Sequence, residues 1–330
     1  MTGADRWLAR GLRALGAGAD ALGESRLSVL IFHRVLPEPD PWLLGEMDAQ
    51  RFDRLLSLIG NAFQVFTLGH AIALQDSGRL PPRALTITFD DGYADNAQIA
   101  LPLLRRHGLP ATFFVATGFL DGGRMWNDTV IETLRRCTLA NIDLSPWGAG
   151  VVPLGTPALG RAAFEQVLAK VKYFSLSERE QALAQLHAAA GRPALPDTLM
   201  MTSGELRALH QAGMELGGHT VHHPILSVLP DAQAESEIRA GRDTLKAITG
   251  APVEVFAYPN GAPGRDYDQR HVAMVKRLGF KTAVSTAPGV VTASSDRYQV
   301  PRFTPWDPSP WRWAGRLMHQ RAFGTSPNLA

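Results

Sequence analysis

Apolar and β-branched residues gather in seven short runs, at residues 29–33, 85–91, 111–116, 215–220, 253–259, 282–286 and 299–303. Turn residues bound each run, so the pattern predicts seven strands. Several runs are apolar almost throughout, as expected of strands buried on both faces in a parallel sheet. Helical periodicity fills the gaps. Phe52, Leu55, Leu56 and Ile59 follow the i, i+3, i+4, i+7 rule, and Ala234, Ile238, Gly241, Leu245 and Ile248 step by fours and threes. Val272, Val275 and Leu278 form another short face. Thr202 with Glu205, and Ser177 with Glu180, have the spacing of capping boxes at helix starts. Strands alternating with helices imply βαβ units and a parallel sheet, open or closed into a barrel.

The stretch 121–201 breaks this rhythm with Gly and Pro clusters, followed by helical patterns around 164–171 and 183–186. It reads as a helical insertion between the third and fourth strands. The expected organisation is an N-terminal helix over 1–27, with Trp7, Leu8, Leu12 and Leu15 on one face, a barrel over 28–305, and a surface tail over 306–330.

Composition narrows the function classes. With 33 Lys+Arg against 31 Asp+Glu, the net charge of +2 gives no electrostatic case for nucleic-acid binding. The single cysteine, Cys137, excludes an intramolecular disulfide and a Cys-based zinc cluster. No apolar run approaches the ~18–20 residues that span a membrane. Charged residues interrupt 1–27, so no signal peptide is read there. The expected location is cytoplasmic, with peripheral membrane contact by the N-terminal helix as a lesser reading.

Four places carry candidate chemistry. Leu85, Ile87 and Phe89 alternate with Thr86 and Thr88 before the adjacent carboxylates Asp90 and Asp91, and Gly92 permits a sharp turn. Two such acids repel unless a cation sits between them or one is protonated. The plainer alternative is that one of them caps a helix starting near Ala94. Next, Gly217-Gly218-His219-Thr220-Val221-His222-His223-Pro224 holds three histidines in five positions, and His219 and His223 can reach one metal. A carboxylate with two imidazoles is the open-sided set of zinc hydrolases and non-haem iron oxygenases. The spare carboxylate favours the hydrolase, which needs a general base beside water. Third, the Tyr258-Pro259-Asn260-Gly261 turn ends a strand, and fourth, His33 follows the first strand. Asp91, His219, Tyr258 and His33 thus share one address, the C-terminal ends of strands, where sites of parallel α/β folds lie.

Thr88-Phe89-Asp90-Asp91-Gly92 and His219-Thr220-Val221-His222-His223-Pro224 resemble the first two motifs of the polysaccharide deacetylase (NodB homology) family, carbohydrate esterase family 4. Residues 256–261 and Ile31-Phe32-His33-Arg34-Val35 are similar to the branch found in exopolysaccharide gene clusters. The resemblance implies a distorted (β/α) barrel of about seven parallel strands. It implies one divalent ion, zinc, on Asp91, His219 and His223, with Asp90 as general base. It implies hydrolysis of N-acetyl groups on hexosamine units of a polysaccharide or its precursor. Tyr258, Pro259 and Asn260 are expected at the substrate and oxyanion position, through a backbone N–H near Tyr258. The arginine that orients the base in many members is replaced here by Ala257. The proton donor is either His33 or His319, the latter in a late Leu317-Met318-His319 spelling. Trp126, Asn127 and Asp128 are expected at a sugar-facing rim or at a helix cap. A carbohydrate O-acetyl esterase on the same metal site is the nearest alternative, and a non-catalytic carbohydrate-binding barrel the next. No Gly-x-Gly-x-x-Gly or P-loop follows a strand.

Overall fold

The computed structural model describes residues 3–21, 26–148, 150–305 and 307–324, without the side chains of residue 15 and residues 17–21. Eight strands form one parallel sheet: β1 (Leu27–Phe32), β2 (Gln64–Phe66), β3 (Ala84–Phe89), β4 (Thr112–Val115), β5 (Glu215–Gly218), β6 (Val255–Ala257), β7 (Thr282–Pro288) and β8 (Val300–Arg302). Seven of them run in the order β1-β3-β4-β5-β6-β7-β8, and β2 lies beside the start of β3. The path then closes on itself. Ile31 donates to the Phe303 carbonyl at 3.0 Å and Phe303 to the Val29 carbonyl at 2.7 Å. The result is a distorted, nearly closed (β/α) barrel of seven parallel strands, and all seven expected strands are present. The short, half-exposed β2 carries no apolar pattern and was not expected.

Side-chain alternation divides the barrel into two layers. Val29, Ala84, Phe114, Val255, Ala257, Val284 and Val300 form one apolar cluster that fills the lumen. Positions of the other parity, among them Phe32, Phe89 and Phe113, face the helices. The Phe89 and Phe113 rings stack at 4.8 Å, and Phe52 meets Phe32 edge-on at 5.4 Å. Gly217 makes the lumen packing fit, because a Cβ there would lie 2.4 Å from Phe114.

The outer helices are α1 (Gly3–Ala21), α2 (Ala49–Ala62), α3 (Leu68–Asp76), α4 (Leu101–His107), α5 (Trp126–Arg136), α6 (Pro157–Val171), α7 (Leu176–Ala189), α8 (Ser203–Gln211), α9 (Asp231–Thr249), α10 (Gln269–Arg277) and α11 (Pro310–Phe323). The apolar stripes on α2, α9 and α10 are buried, apart from a half-buried Ile248. On α1, Leu8 and Leu12 are buried but Trp7 is 71% exposed, which corrects the expected face. The Leu15 side chain lies outside the described residues. Thr202 and Glu205 form the expected capping box on α8. The box on α7 uses Ser175 and Glu178 rather than Ser177 and Glu180, because the helix starts one residue after Ser175. Within 121–201, α5, α6 and α7 enclose an apolar cluster of their own, including Val130, Leu134, Trp147, Val167 and Leu186. The C-terminal segment is not only a tail: residues 310–323 form α11, which packs on α1. No described helix is long and apolar enough to cross a membrane.

Candidate metal and carboxylate site

At the C-terminal mouth of the barrel a cavity of about 450 Å³ is lined by His33, Asp90, Asp91, His219, His223 and Asn260. Strand parity explains the first acid. Thr86, Thr88 and Asp90 share the lumen side, so Asp90 points along the barrel axis. Asp91 then turns at φ 77° and faces the two histidines. Neither acid caps a helix: helical backbone begins at Ala94 as expected, with Tyr93 at the cap position and Asp95 already in the first turn. Asp95 instead binds Arg34 at 2.8 Å and the Val35 N–H at 3.0 Å.

Asp91 Oδ1 lies 3.4 Å from Nε2 of His219 and 3.4 Å from Nε2 of His223. Among the described residues these three form a group whose ligand atoms all lie within 4.8 Å of one another. Tetrahedral zinc with bonds of ~2.0–2.2 Å places its ligands ~3.4 Å apart, so the spacing fits such an ion. The tautomer fits as well. His219 Nδ1 meets the Ala257 carbonyl at 2.8 Å, which assigns the proton to Nδ1 and leaves Nε2 as a lone-pair donor. Burial pushes the His223 pKa down to about 3, so this imidazole is neutral and able to ligate.

The loop between the histidines is strained and clamped. Thr220 (φ 66°), His223 (φ 49°) and, across the cavity, Asn260 (φ 58°) all sit in the left-handed region. Glu237 of α9 accepts from the Val221 and His222 N–H groups at 2.9 Å each and pairs with His222 Nδ1 at 2.7 Å. His222 is therefore a loop clamp rather than a ligand. Gly241, one helical turn further along α9, sits against the Thr220 backbone: a Cβ there would lie 2.7 Å from the Thr220 oxygen. Gly241→Ala should push the loop outward, at a cost of ~1–3 kcal/mol in stability, and weaken metal binding. Urea unfolding and competition with a chelator would measure both, and unchanged values would contradict this packing.

Asp90 has a partner the sequence reading did not find. Arg302 of β8 donates to Oδ1 and Oδ2 of Asp90 at 2.8 Å each, and its Nε donates to the Ser285 carbonyl at 2.7 Å. Both groups are buried. Burial alone would raise the Asp90 pKa, but the Arg302 charge overrides it and holds the carboxyl below its ordinary range. Ala257 therefore does not leave Asp90 without a guanidinium; the arginine comes from the last strand. The signal was an arginine within a run otherwise fit for burial, Val300-Pro301-Arg302-Phe303.

The expectation for Tyr258 is corrected. Its N–H goes to the Val284 carbonyl at 3.3 Å, its hydroxyl to the Tyr298 carbonyl at 3.0 Å, and its ring stacks on Tyr267 at 3.7 Å. It is a packing residue under the site. Pro259 accepts from the Gly261 N–H at 2.7 Å and shapes the turn. Asn260 does line the cavity, and its Nδ2 is buried with no partner among the described residues. His33 lines the cavity beside Glu46, whereas His319, exposed on α11, lines a neighbouring cavity with Arg316 and Phe303. Glu46, Tyr93, Lys172 and Thr286 also line the cavity that holds Asp90 and Asp91 and were not singled out from the sequence. Trp126 and Asn127 are at its rim as expected, and Asn127 Nδ2 donates to the Tyr93 hydroxyl at 3.3 Å.

Asp128, also in the first turn of α5, is buried rather than at the rim, and Met125 occupies the cap position. Burial pushes its pKa up to about 7, against Arg34 and Tyr93. The folded state therefore holds this proton more tightly than the unfolded chain. The resulting stability is present below pH ~4 and lost as pH rises through ~7. Metal-free wild type should lose a few kcal/mol, about 1.4 per pKa unit, relative to Asp128→Asn between pH 4 and pH 8. Parallel urea curves that do not diverge would refute it.

Comparison with known proteins agrees with this geometry. A family profile described as Polysaccharide deacetylase matches residues 77–142 and 173–283, more than half of the chain. The interruption falls inside the 121–201 insertion. YxkH of Bacillus subtilis (strain 168), a protein named for the same family, is 19% identical over 243 residues. That match covers 73% of this chain and 59% of YxkH, so the chain spans about three-fifths of that relative's length. Among solved structures, the deacetylase PplD of Streptococcus pyogenes superimposes with a TM-score of 0.60 at 17% identity, covering 89% of this chain and 99% of PplD. IcaB from Ammonifex degensii gives 0.57 at 19% identity, covering 91% and 98%. At such identities the likeness speaks for the fold, and the profile match for the family. The chain belongs to the polysaccharide deacetylase family.

Proposed function

We propose that this protein is a metal-dependent carbohydrate N-deacetylase, which hydrolyses N-acetyl groups on hexosamine units of a polysaccharide or its precursor. One observation carries the reading: a second carboxylate, Asp90, stands beside the Asp91, His219 and His223 cluster, outside that three-residue group and paired through both oxygens with Arg302. An ion-binding site alone does not need that acid; hydrolysis does.

Asp91, His219 and His223 would hold the divalent ion, zinc in this proposal. When bound, the ion supplies Lewis-acid chemistry, acidifying water and polarising a carbonyl oxygen. Asp90 takes the proton from the attacking water, and the two-point contact with Arg302 fixes its carboxyl plane. The unpartnered Asn260 Nδ2 donates to the acyl oxygen as charge develops there. His33, with the buried Glu46 near it, passes a proton to the leaving amine. His319 is set aside because it lines a different cavity. The names of two structural relatives are consistent with this chemistry: PplD was solved in complex with acetate, and a de-N-acetylase from Aggregatibacter actinomycetemcomitans superimposes with a TM-score of 0.60 at 14% identity, covering 89% of this chain and all of that one.

The test is metal content and acetate release after chelation and after reloading. Chitotetraose supplies amide acetyls, and O-acetylated xylan supplies ester acetyls. About one ion per chain, with acetate from chitotetraose only in the reloaded protein, is expected. Release from xylan alone would replace the amide reading by the esterase. Failure to bind any divalent ion would remove the basis of both.

A further inference from the structure

A second cavity, of about 530 Å³, opens on the far side of Trp126 from the catalytic one. The Trp126 ring lines both. So does the histidine loop: His219 and His223 face the catalytic cavity, while His222 faces the second. Trp126 and the histidine loop are therefore walls common to both cavities, so one glycan chain could run past them from the first to the second.

The second cavity contains a cation with no ion-pair partner among the described residues. Arg179 of α7 is only 4% exposed. Its guanidinium lies over the Trp126 ring at 4.8 Å and donates one hydrogen bond, to the His222 carbonyl at a long 3.3 Å. It forms no ion pair with any described residue. Glu237 is the acid whose charge reaches it, and both Glu237 oxygens are engaged by the histidine loop. Arg124 lines the same cavity and is tied to Thr129 and the Pro196 carbonyl, while the exposed Glu180 is the acid at the rim. None of its nitrogens is sealed off without a partner, so the unused donors of this largely buried guanidinium are open to the cavity and can be taken by a ligand that enters it. Carboxylates and phosphates match that fork.

We propose that this cavity is a subsite for an acidic group on the sugar neighbouring the reacting unit, with its carboxylate or phosphate held by Arg179. The inference rests on the deacetylase reading and extends it to the substrate class: an anionic glycan rather than a neutral one. Because α7 belongs to the 121–201 insertion, the insertion supplies this specificity.

Calorimetry on the metal-loaded full chain tests it. The probes are chitotetraose, a tetrasaccharide alternating glucuronic acid with N-acetylglucosamine, and N-acetylglucosamine 1-phosphate. Wild type should bind at least one acidic probe roughly tenfold tighter than chitotetraose, the size of a charged hydrogen bond. In Arg179→Gln that ratio should fall to near one, and Arg179→Lys should restore part of it. Because Arg179 is buried, Glu180→Gln provides an independent arm at an exposed position: losing the rim acid should raise the acidic-to-neutral ratio about twofold. A ratio carried by the uronate probe identifies a carboxylate, and one carried by the phosphate probe a phosphoryl group. Equal affinity for acidic and neutral probes in wild type, or a ratio indifferent to both variants, overturns the subsite. If no substrate releases acetate while the Arg179-dependent ratio persists, the deacetylase reading falls and the anion site stands.

Discussion

Arg302→Met should destabilise the protein by about 3–5 kcal/mol, the usual result of leaving one partner of a buried ion pair alone. Methionine fills much of the arginine volume, so the loss reports on Asp90 rather than on a cavity. Asp90 sits at 3% exposure with both oxygens committed to Arg302. Without the guanidinium its carboxyl takes up a proton and stops acting as a base, so acetate release should also fall, by ~10–100-fold. Arg302→Lys keeps the charge but not the two-point contact, and should recover more stability than activity. Urea unfolding with acetate release on all three proteins measures this. Full activity in Arg302→Met would mean that the base is oriented by something else.

Asp90→Asn should have the larger effect on catalysis and the smaller one on binding. The amide is nearly isosteric and can still accept one hydrogen bond from Arg302, but it cannot take a proton. Acetate release should drop ~10²–10⁴-fold, while the ion remains on Asp91, His219 and His223. Elemental analysis beside the rate decides between roles: loss of the ion would make Asp90 a ligand, and a rate within tenfold of wild type would remove it from the chemistry. Combining Asp90→Asn with Arg302→Met should cost less stability than the two changes added together, because they remove two ends of one contact.

The seven main strands were legible because strands of a parallel barrel are buried on both faces and so read as apolar runs. The Asp91, His219 and His223 cluster was legible because its spacing is local: Asp91 beside Asp90, and His219 four residues before His223. What stayed hidden depends on contacts distant along the chain. Arg302 meets Asp90 across 212 residues, and no local pattern marks that meeting. Tyr258 looked like a site residue because it ends a strand at the right height. Strand parity turns its ring away from the lumen into the helix-facing layer, where it stacks on Tyr267, and that depends on neighbours the sequence does not name. Gly241 read as one more position on a helical stripe; only the approach of the Thr220 backbone reveals why a side chain is excluded there.

The placement of Arg302 on the last strand has a consequence for how the protein comes to life. During synthesis, both acids and all three histidines of the site precede β8 in the chain. A nascent chain long enough to hold an ion still lacks the group that keeps Asp90 ionised. Docking of β8 against β1 and β7 closes the barrel and delivers Arg302 in the same event. Hydrolytic competence is then a readout of finished folding, and a chain cut before residue 300 keeps Asp90, Asp91, His219 and His223 yet lacks the arginine that pairs with Asp90.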